Sequence, residues 1–173
     1  MFYFFLQNFS GIGQKPFVFF ETTKKSNEVC QGKTIGVIAT INSQIENYIS
    51  FKWSGESKDV NEIRNEIVTV NSSEPGEKKL KFTLMVKENI KYDTVYIVKV
   101  LPKPDVSLDV SSKEIRVISK DILTLSGFKW KYNGVLLVEE TDSVFKNPKR
   151  GSYQVFVLDN KGCRNSSQII KVE

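Results

Sequence analysis

The chain has 173 residues, room for one large or two small domains, and its 40% hydrophobic and 12% aromatic content supplies packed cores and excludes a disordered chain. Its 25 basic and 20 acidic residues leave a net charge of +5; they are spread evenly along the sequence, unlike the concentrated basic face of a nucleic-acid binder. With no histidine and two cysteines, it lacks the commonest general base and metal ligand, and the cysteines alone cannot complete a four-ligand zinc site.

Residues 1–14 hold Phe2, Tyr3, Phe4, Phe5, Leu6 and Phe9 without a charged side chain, and close on Ser-Gly-Ile-Gly-Gln. Two readings stand for them: the hydrophobic part and cleavage site of a secretory signal lacking its basic leader, or an aromatic edge strand. The segment is too short to cross a bilayer as a helix, and no other stretch approaches the roughly 18 apolar residues a spanning helix needs. A chain that does not span the membrane is expected.

Strands are then expected at Phe17–Glu21, Thr34–Ile41, Tyr48–Trp53, Glu66–Val70, Lys79–Lys87 and Thr94–Leu101. Leu80, Phe82, Leu84 and Val86 fall strictly on every second position. Ser73–Glu77 places Pro75 and Gly76 where a tight turn wants them. Only Lys58–Ile67 carries a helical signal; Val60, Ile63 and Ile67 make a thin stripe, so a loop or a short helix is expected there.

Leu101-Pro102-Lys103-Pro104 marks a boundary, since each proline lacks a ladder donor and pushes its predecessor extended. It divides a first domain, 15–101, from a second, 102–173. Beyond it, strands are expected at Val106–Val110, Glu114–Ser119, Ile122–Ser126, Phe128–Tyr132, Val135–Glu139, Ser143–Lys146, Tyr153–Leu158 and Gln168–Val172. Asn133-Gly134 suits a two-residue hairpin, whose central residues need positive φ. After Gln154 both faces of the Tyr153–Leu158 run are apolar, and Asp159-Asn160-Lys161-Gly162 supplies turn chemistry just before Cys163. Strands recurring about every 8 to 12 residues are the pattern of a sandwich. Tyr48–Trp53 and Gly127–Tyr132 are a divergent repeat whose tryptophans lie 77 positions apart (130 − 53), an offset that suits two such domains.

Trp53 and Trp130 either stack on a ligand or fill the gap between two sheets about 10 Å apart; the second reading is preferred. Phe17, Phe19, Tyr92 and Tyr96 are the candidate surface contacts, with a place in the core or an interface as the preferred reading, and an exposed row of such rings on one sheet would point to a glycan. Lys78–Lys81 and Lys146–Arg150 are short basic clusters of the kind that form solvated faces. Asn71-Ser-Ser and Asn165-Ser-Ser match glycosylation acceptors. Asp105, Asp109, Asp121 and Asp159 lack the spacing of a calcium loop, and no glycine-rich phosphate loop opens a helix. No catalytic set, metal site or cofactor is expected.

Glu28–Thr34, Phe128–Val138 and Gly151–Cys163 resemble the tandem immunoglobulin-like (PKD/Ig-like) modules of Bacteroidetes-type cell-envelope and surface proteins, a likeness covering most of Glu28–Glu173. The resemblance implies an all-β chain of two tandem immunoglobulin-like β-sandwich domains, with Trp53 and Trp130 as core residues and Tyr153 as a corner tyrosine whose hydroxyl caps nearby backbone. It implies an exported, non-enzymatic protein in the periplasm, outer membrane or cell surface, acting through protein partners as an accessory subunit or spacer. Because the sequence has no third sandwich like the C-terminal tag of type IX cargo, an outer-membrane export complex of that kind is one implied host. A carbohydrate-binding or adhesin module is the alternative.

In this topology the turn before the second strand of one domain and the last hairpin turn of the next face the same junction. Cys30 and Cys163, in those two turns, are therefore expected to form an interdomain disulfide that would fix the pair as one rod. Closing so long a loop would restrict the unfolded chain by roughly 5 kcal/mol at most. Two free thiols, as in a reducing compartment, are the other reading.

Overall fold

Along Lys91–Leu101, Tyr96, Val98 and Val100 are buried while Val95, Ile97 and Lys99 face solvent, the period of two that a strand imposes. A computed structural model describes residues 18–24, 26–41, 48–55, 60–64, 67–86 and 90–173. Residues 1–14 and Phe17 lie outside the described residues. The rest divides into two compact units, up to Leu101 and from Pro102.

The first unit runs β1 (Val18–Thr22), β2 (Glu28–Cys30), β3 (Thr34–Ile41), β4 (Tyr48–Gly55), β5 (Val60–Arg64), β6 (Ile67–Asn71), β7 (Gly76–Val86) and β8 (Lys91–Leu101). Its two sheets have the orders β1-β3-β6-β5 and β2-β8-β7-β4. Every pairing is antiparallel except the short parallel one of β2 with β8. In immunoglobulin lettering these are the sheets ABED and A′GFC, the constant-type division of strands. The crossing from the first sheet to the second is tied locally: the Thr22 hydroxyl donates to the Ser26 carbonyl at 2.8 Å, and the Ser26 hydroxyl accepts the Glu28 N–H at 3.1 Å.

Both sheets feed one core. Phe20, from the first sheet, meets Trp53, Phe82 and Tyr96 of the second with ring centroids 5.5, 5.9 and 5.3 Å apart. Ile35, Val37, Val68 and Val70 close it from one side and Leu80, Leu84 and Val98 from the other. Each such aromatic pair adds about 0.5–1.5 kcal/mol beyond the area it buries.

The second unit comprises β9 (Ser107–Val110), β10 (Glu114–Ile118), a 3₁₀ turn (Ile122–Thr124), β11 (Leu125–Tyr132), β12 (Val135–Leu137), β13 (Val144–Lys146), β14 (Gly151–Asp159), β15 (Arg164–Ser166) and β16 (Ile170–Val172). One sheet is β13-β10-β9; the other is β12-β11-β14-β15, with β16 also paired to β14. Lettered, these are ABE and C′CFG, with the last strand in two pieces. The break falls at buried Ser167, whose hydroxyl accepts the Val155 N–H at 3.1 Å in place of a ladder partner. Ile115 and Val117 pack against Trp130, Tyr153, Val155 and Val157. The chain is thus all-β, two immunoglobulin-like sandwiches in tandem.

The Asn133-Gly134 hairpin takes φ of 49° and 82°, both positive, and the Asn133 side chain accepts the Ser152 N–H at 2.8 Å. Gly151 lies against the Tyr132 ring, where a Cβ would collide.

Two expectations are corrected. Val60–Arg64, inside the stretch with the helical stripe, is a strand laddered to β6 through Val60↔Val70, Asn61↔Thr69 and Glu62↔Val68; three apolar positions nucleate no helix, and a waiting edge partner settles the matter. Ile122–Ser126 is not a strand of its own. Its first three residues form the 3₁₀ turn, closed by the Thr124 N–H and hydroxyl on the Asp121 carbonyl at 2.9 and 2.8 Å, and Leu125 and Ser126 open β11.

The two tryptophans differ in one respect. Trp130 Nε1 donates to the Asp142 carbonyl at 2.8 Å, whereas Trp53 Nε1 is buried without a partner among the described residues. Trp130→Phe is therefore expected to cost about 1 kcal/mol more in urea unfolding than Trp53→Phe, because it alone loses a hydrogen bond. Equal losses would mean that the indole hydrogen bond contributes nothing net.

Candidate interaction surface

Cys30 ends β2 opposite Leu101, and the chain then turns through Gly32 at φ 79°. Buried Ser72 holds this turn: its hydroxyl accepts the Lys33 N–H at 2.9 Å and donates toward the Cys30 carbonyl at 2.7 Å and the Lys33 carbonyl, while its own carbonyl accepts the Gly32 N–H at 2.7 Å. Cys163 follows β14 in an equally tied turn. The Asp159 carboxylate accepts the N–H of Lys161 at 2.9 Å and of Cys163 at 2.7 Å, and Gly162 takes φ 83°. Both cysteines are disulfide-bonded.

The candidate aromatic residues separate by strand parity. Trp53, Trp130, Tyr153 and Tyr96 are buried. Tyr153 opens the inward row of β14, and its hydroxyl both donates to the Lys149 carbonyl at 3.0 Å and accepts the Lys149 N–H at 2.8 Å. Phe19 is half-buried on β1 between inward Val18 and Phe20. Tyr92 is half-buried against the first core. Tyr96 is corrected as a surface contact: it falls on the same row as Val98 and Val100 and stacks on Phe20. Among the described residues every aromatic side chain with an assigned exposure is buried or half-buried, so no exposed aromatic row is found.

The outward rows of the two units carry apolar and cationic side chains side by side. On the first unit, Val95 (46% exposed) and Ile97 (38%) stand opposite Lys81 and Lys79. Asp93 next to them bonds Lys81 Nζ at 2.8 Å and the Thr83 hydroxyl at 2.7 Å, and these bonds, the lysine's foremost, hold its carboxyl below the usual range.

The second unit offers a shaped surface that the sequence reading missed. Phe156 and Leu158 form the outward row of β14; β11 sets Lys129 opposite Phe156 and Gly127 opposite Leu158, and β15 sets Arg164 beside Leu158 and Ser166 beside Phe156. Because Gly127 has no side chain and sits at a bulge, the three strands enclose a groove of about 470 Å³, open above Phe156 and Leu158 and lined by Lys129 and Arg164 without an acidic side chain. Lys131 Nζ lies 4.8 Å from the centre of the Phe156 ring. The signal available in sequence was parity: Phe156 and Leu158 cannot share a face with Val155 and Val157.

Among the described residues no cluster of three or more histidine, cysteine, aspartate or glutamate side chains is placed to hold a metal, and no helix is long and apolar enough to cross a membrane.

Compared with known proteins, the chain matches no protein-family model and no curated protein sequence. Solved structures similar to it include murine CEACAM1b (13% identity, 90% of this chain and 98% of that one, TM-score 0.43) and the fibronectin(III)-like modules of Clostridium thermocellum CbhA (15%, 90% and 94%, 0.40). Another is Bacteroides ovatus SGBP-B of a mixed-linkage glucan utilization locus, solved with a mixed-linkage heptasaccharide (13%, 93% and 48%, 0.38). At such identities and scores these likenesses carry no activity over, and the fold rests on the strand order itself.

Two outcomes follow from the turn and the tyrosines. Asp159→Ala removes a carboxylate acceptor from two N–H groups and is expected to cost about 2 kcal/mol in chemical unfolding and to speed reduction of the disulfide by dithiothreitol; Asp159→Asn should fall between. Burial raises the Tyr96 and Tyr153 hydroxyls above the ordinary 10.0, for Tyr153 against an opposing hydrogen bond with the Lys149 backbone. A folded-state pKa above the unfolded one means stability that is complete below 10.0 and is lost as pH climbs through the raised values. Thermal scans should thus hold level up to that pH and fall beyond it, and Tyr96→Phe should remove part of the fall.

Proposed function

We propose that this is a non-enzymatic immunoglobulin-like protein of the cell envelope of a Bacteroidetes-type bacterium, working through protein–protein contacts as an accessory subunit or spacer. Residues 1–14 serve as its export signal, and 15–101 and 102–173 as its two modules. Its place is the periplasm or the outer membrane, and an export complex of the type IX kind is its proposed host. The observation that carries the reading is the outward face of β11, β14 and β15, where half-buried Phe156 and Leu158 floor an open groove rimmed by Lys129 and Arg164; an apolar-floored groove on the outer face of a sandwich with a filled core favours a partner. The oxidised state of both cysteines supports export, because disulfides persist in oxidising compartments. As these are the chain's two cysteines, we assign them to each other. The glycan reading is disfavoured, since the described aromatic rings form no exposed row on one sheet.

Affinity purification of the tagged chain from native membranes is expected to bring down an outer-membrane partner in stoichiometric amount; recovery as an isolated soluble monomer would contradict the accessory role. Non-reducing peptide mapping of the same material should give one peptide pair joining Cys30 to Cys163 within a monomer. A disulfide-linked dimer would overturn the assignment, and two free thiols would also remove the support for export.

A further inference from the structure

We infer that the groove over Phe156 and Leu158 docks an acidic segment of the partner protein that carries apolar side chains between its carboxylates. This names the partner's chemistry at the face just described and so rests on that reading. The central strand supplies the apolar floor, and its neighbours supply cations on both sides: Lys129 and Lys131 from β11, Arg164 from β15. Neighbouring strands lie about 4.8 Å apart, so the two rims are about 10 Å across, the width of one extended chain with its side chains. Phe156 and Leu158, two residues apart on one strand, repeat at about 6.6 Å, the spacing at which an extended peptide presents alternate side chains. No carboxylate among the lining residues competes for the rim cations. Asp159, at the end of the same strand, already accepts two backbone N–H groups. A bare polyanion would satisfy the rim and leave the floor wet, while a neutral apolar peptide would leave Lys129 and Arg164 without counter-charges. A peptide bearing both kinds of side chain satisfies both.

The test is a titration of the isotope-labelled full chain, followed by nuclear magnetic resonance. Its probes are a capped Glu-Phe-Glu-Leu-Glu peptide, its Gln-Phe-Gln-Leu-Gln and Lys-Phe-Lys-Leu-Lys counterparts, and pentaglutamate. The first is expected to shift the amides of Gly127, Lys129, Phe156, Leu158 and Arg164 and to bind at least about tenfold more tightly than the other three, with affinity falling as salt rises. Lys129→Glu combined with Arg164→Glu should abolish that preference. Gly127→Leu should block the groove while keeping its charge; a Cβ there meets Leu158 Cβ at an ordinary 3.7 Å, and an unchanged amide spectrum outside the groove checks that the variant is folded.

Equal binding by the glutamine peptide would overturn the electrostatic half of the inference. Equal binding by pentaglutamate would overturn the apolar half. Dextran sulfate or phosphatidylglycerol vesicles shifting the same amides more strongly than the peptide would overturn it altogether, in favour of an anionic polymer or membrane. A tagged chain carrying both charge reversals that still captures its membrane partner would contradict the groove and leave the accessory role standing. A chain that captures nothing in either form contradicts the role, and the peptide titration still reads the groove by itself.

Discussion

The structure depends on one constraint: each strand has two rows of side chains, and only one row of each sheet can be buried against the other. In both units that inward row is gathered around a tryptophan from the strand lettered C, Trp53 in one and Trp130 in the other. Once those positions are filled, the outward rows and the turns are what remains for recognition. A register slip of one residue would exchange Phe156 with Val155 and Val157, moving the groove's floor into the core and the core to the surface.

Immunoglobulin domains of antibodies brace their two sheets with a disulfide beside the central tryptophan. Here aliphatic and aromatic packing holds that place: Ile115, Val117, Val155 and Val157 surround Trp130, and Phe145 meets it with centroids 5.6 Å apart. Cys30 instead ends β2 and Cys163 lies in the turn after β14, each with the neighbouring backbone already fixed, by Ser72 on one side and Asp159 on the other. Their bonding partner is thus a separate matter from core stability, and the turns owe their shape to polar side chains and glycines rather than to sulfur.

Much of the fold was legible because burial and sequence period coincide. Thr34–Ile41 has its expected bounds, and the strict alternation of Leu80, Phe82 and Leu84 marked an inward row that the structure buries completely. The departures have a common cause. Glu28–Cys30 and Arg164–Ser166 are three-residue strands held only by β8 and β14, partners that local pattern cannot name. Ile122 and Leu123 are apolar enough for a strand, but apolarity does not say what covers a side chain; both are exposed on the 3₁₀ turn. The groove was illegible for a related reason. Parity assigns Lys129, Phe156 and Arg164 to outward rows, but only the registers of three strands and the bulge beside Gly127 bring them around one opening.

That the outward face of the second unit is the working surface is tested most directly by photo-cross-linking in the native envelope. A benzoylphenylalanine placed at position 166, which lines the groove beside Phe156, would be compared with one at 116, which is exposed on the opposite sheet. Protein adducts are expected from position 166 and not from 116. Equal adducts from both positions, or adducts from 116 alone, would contradict it.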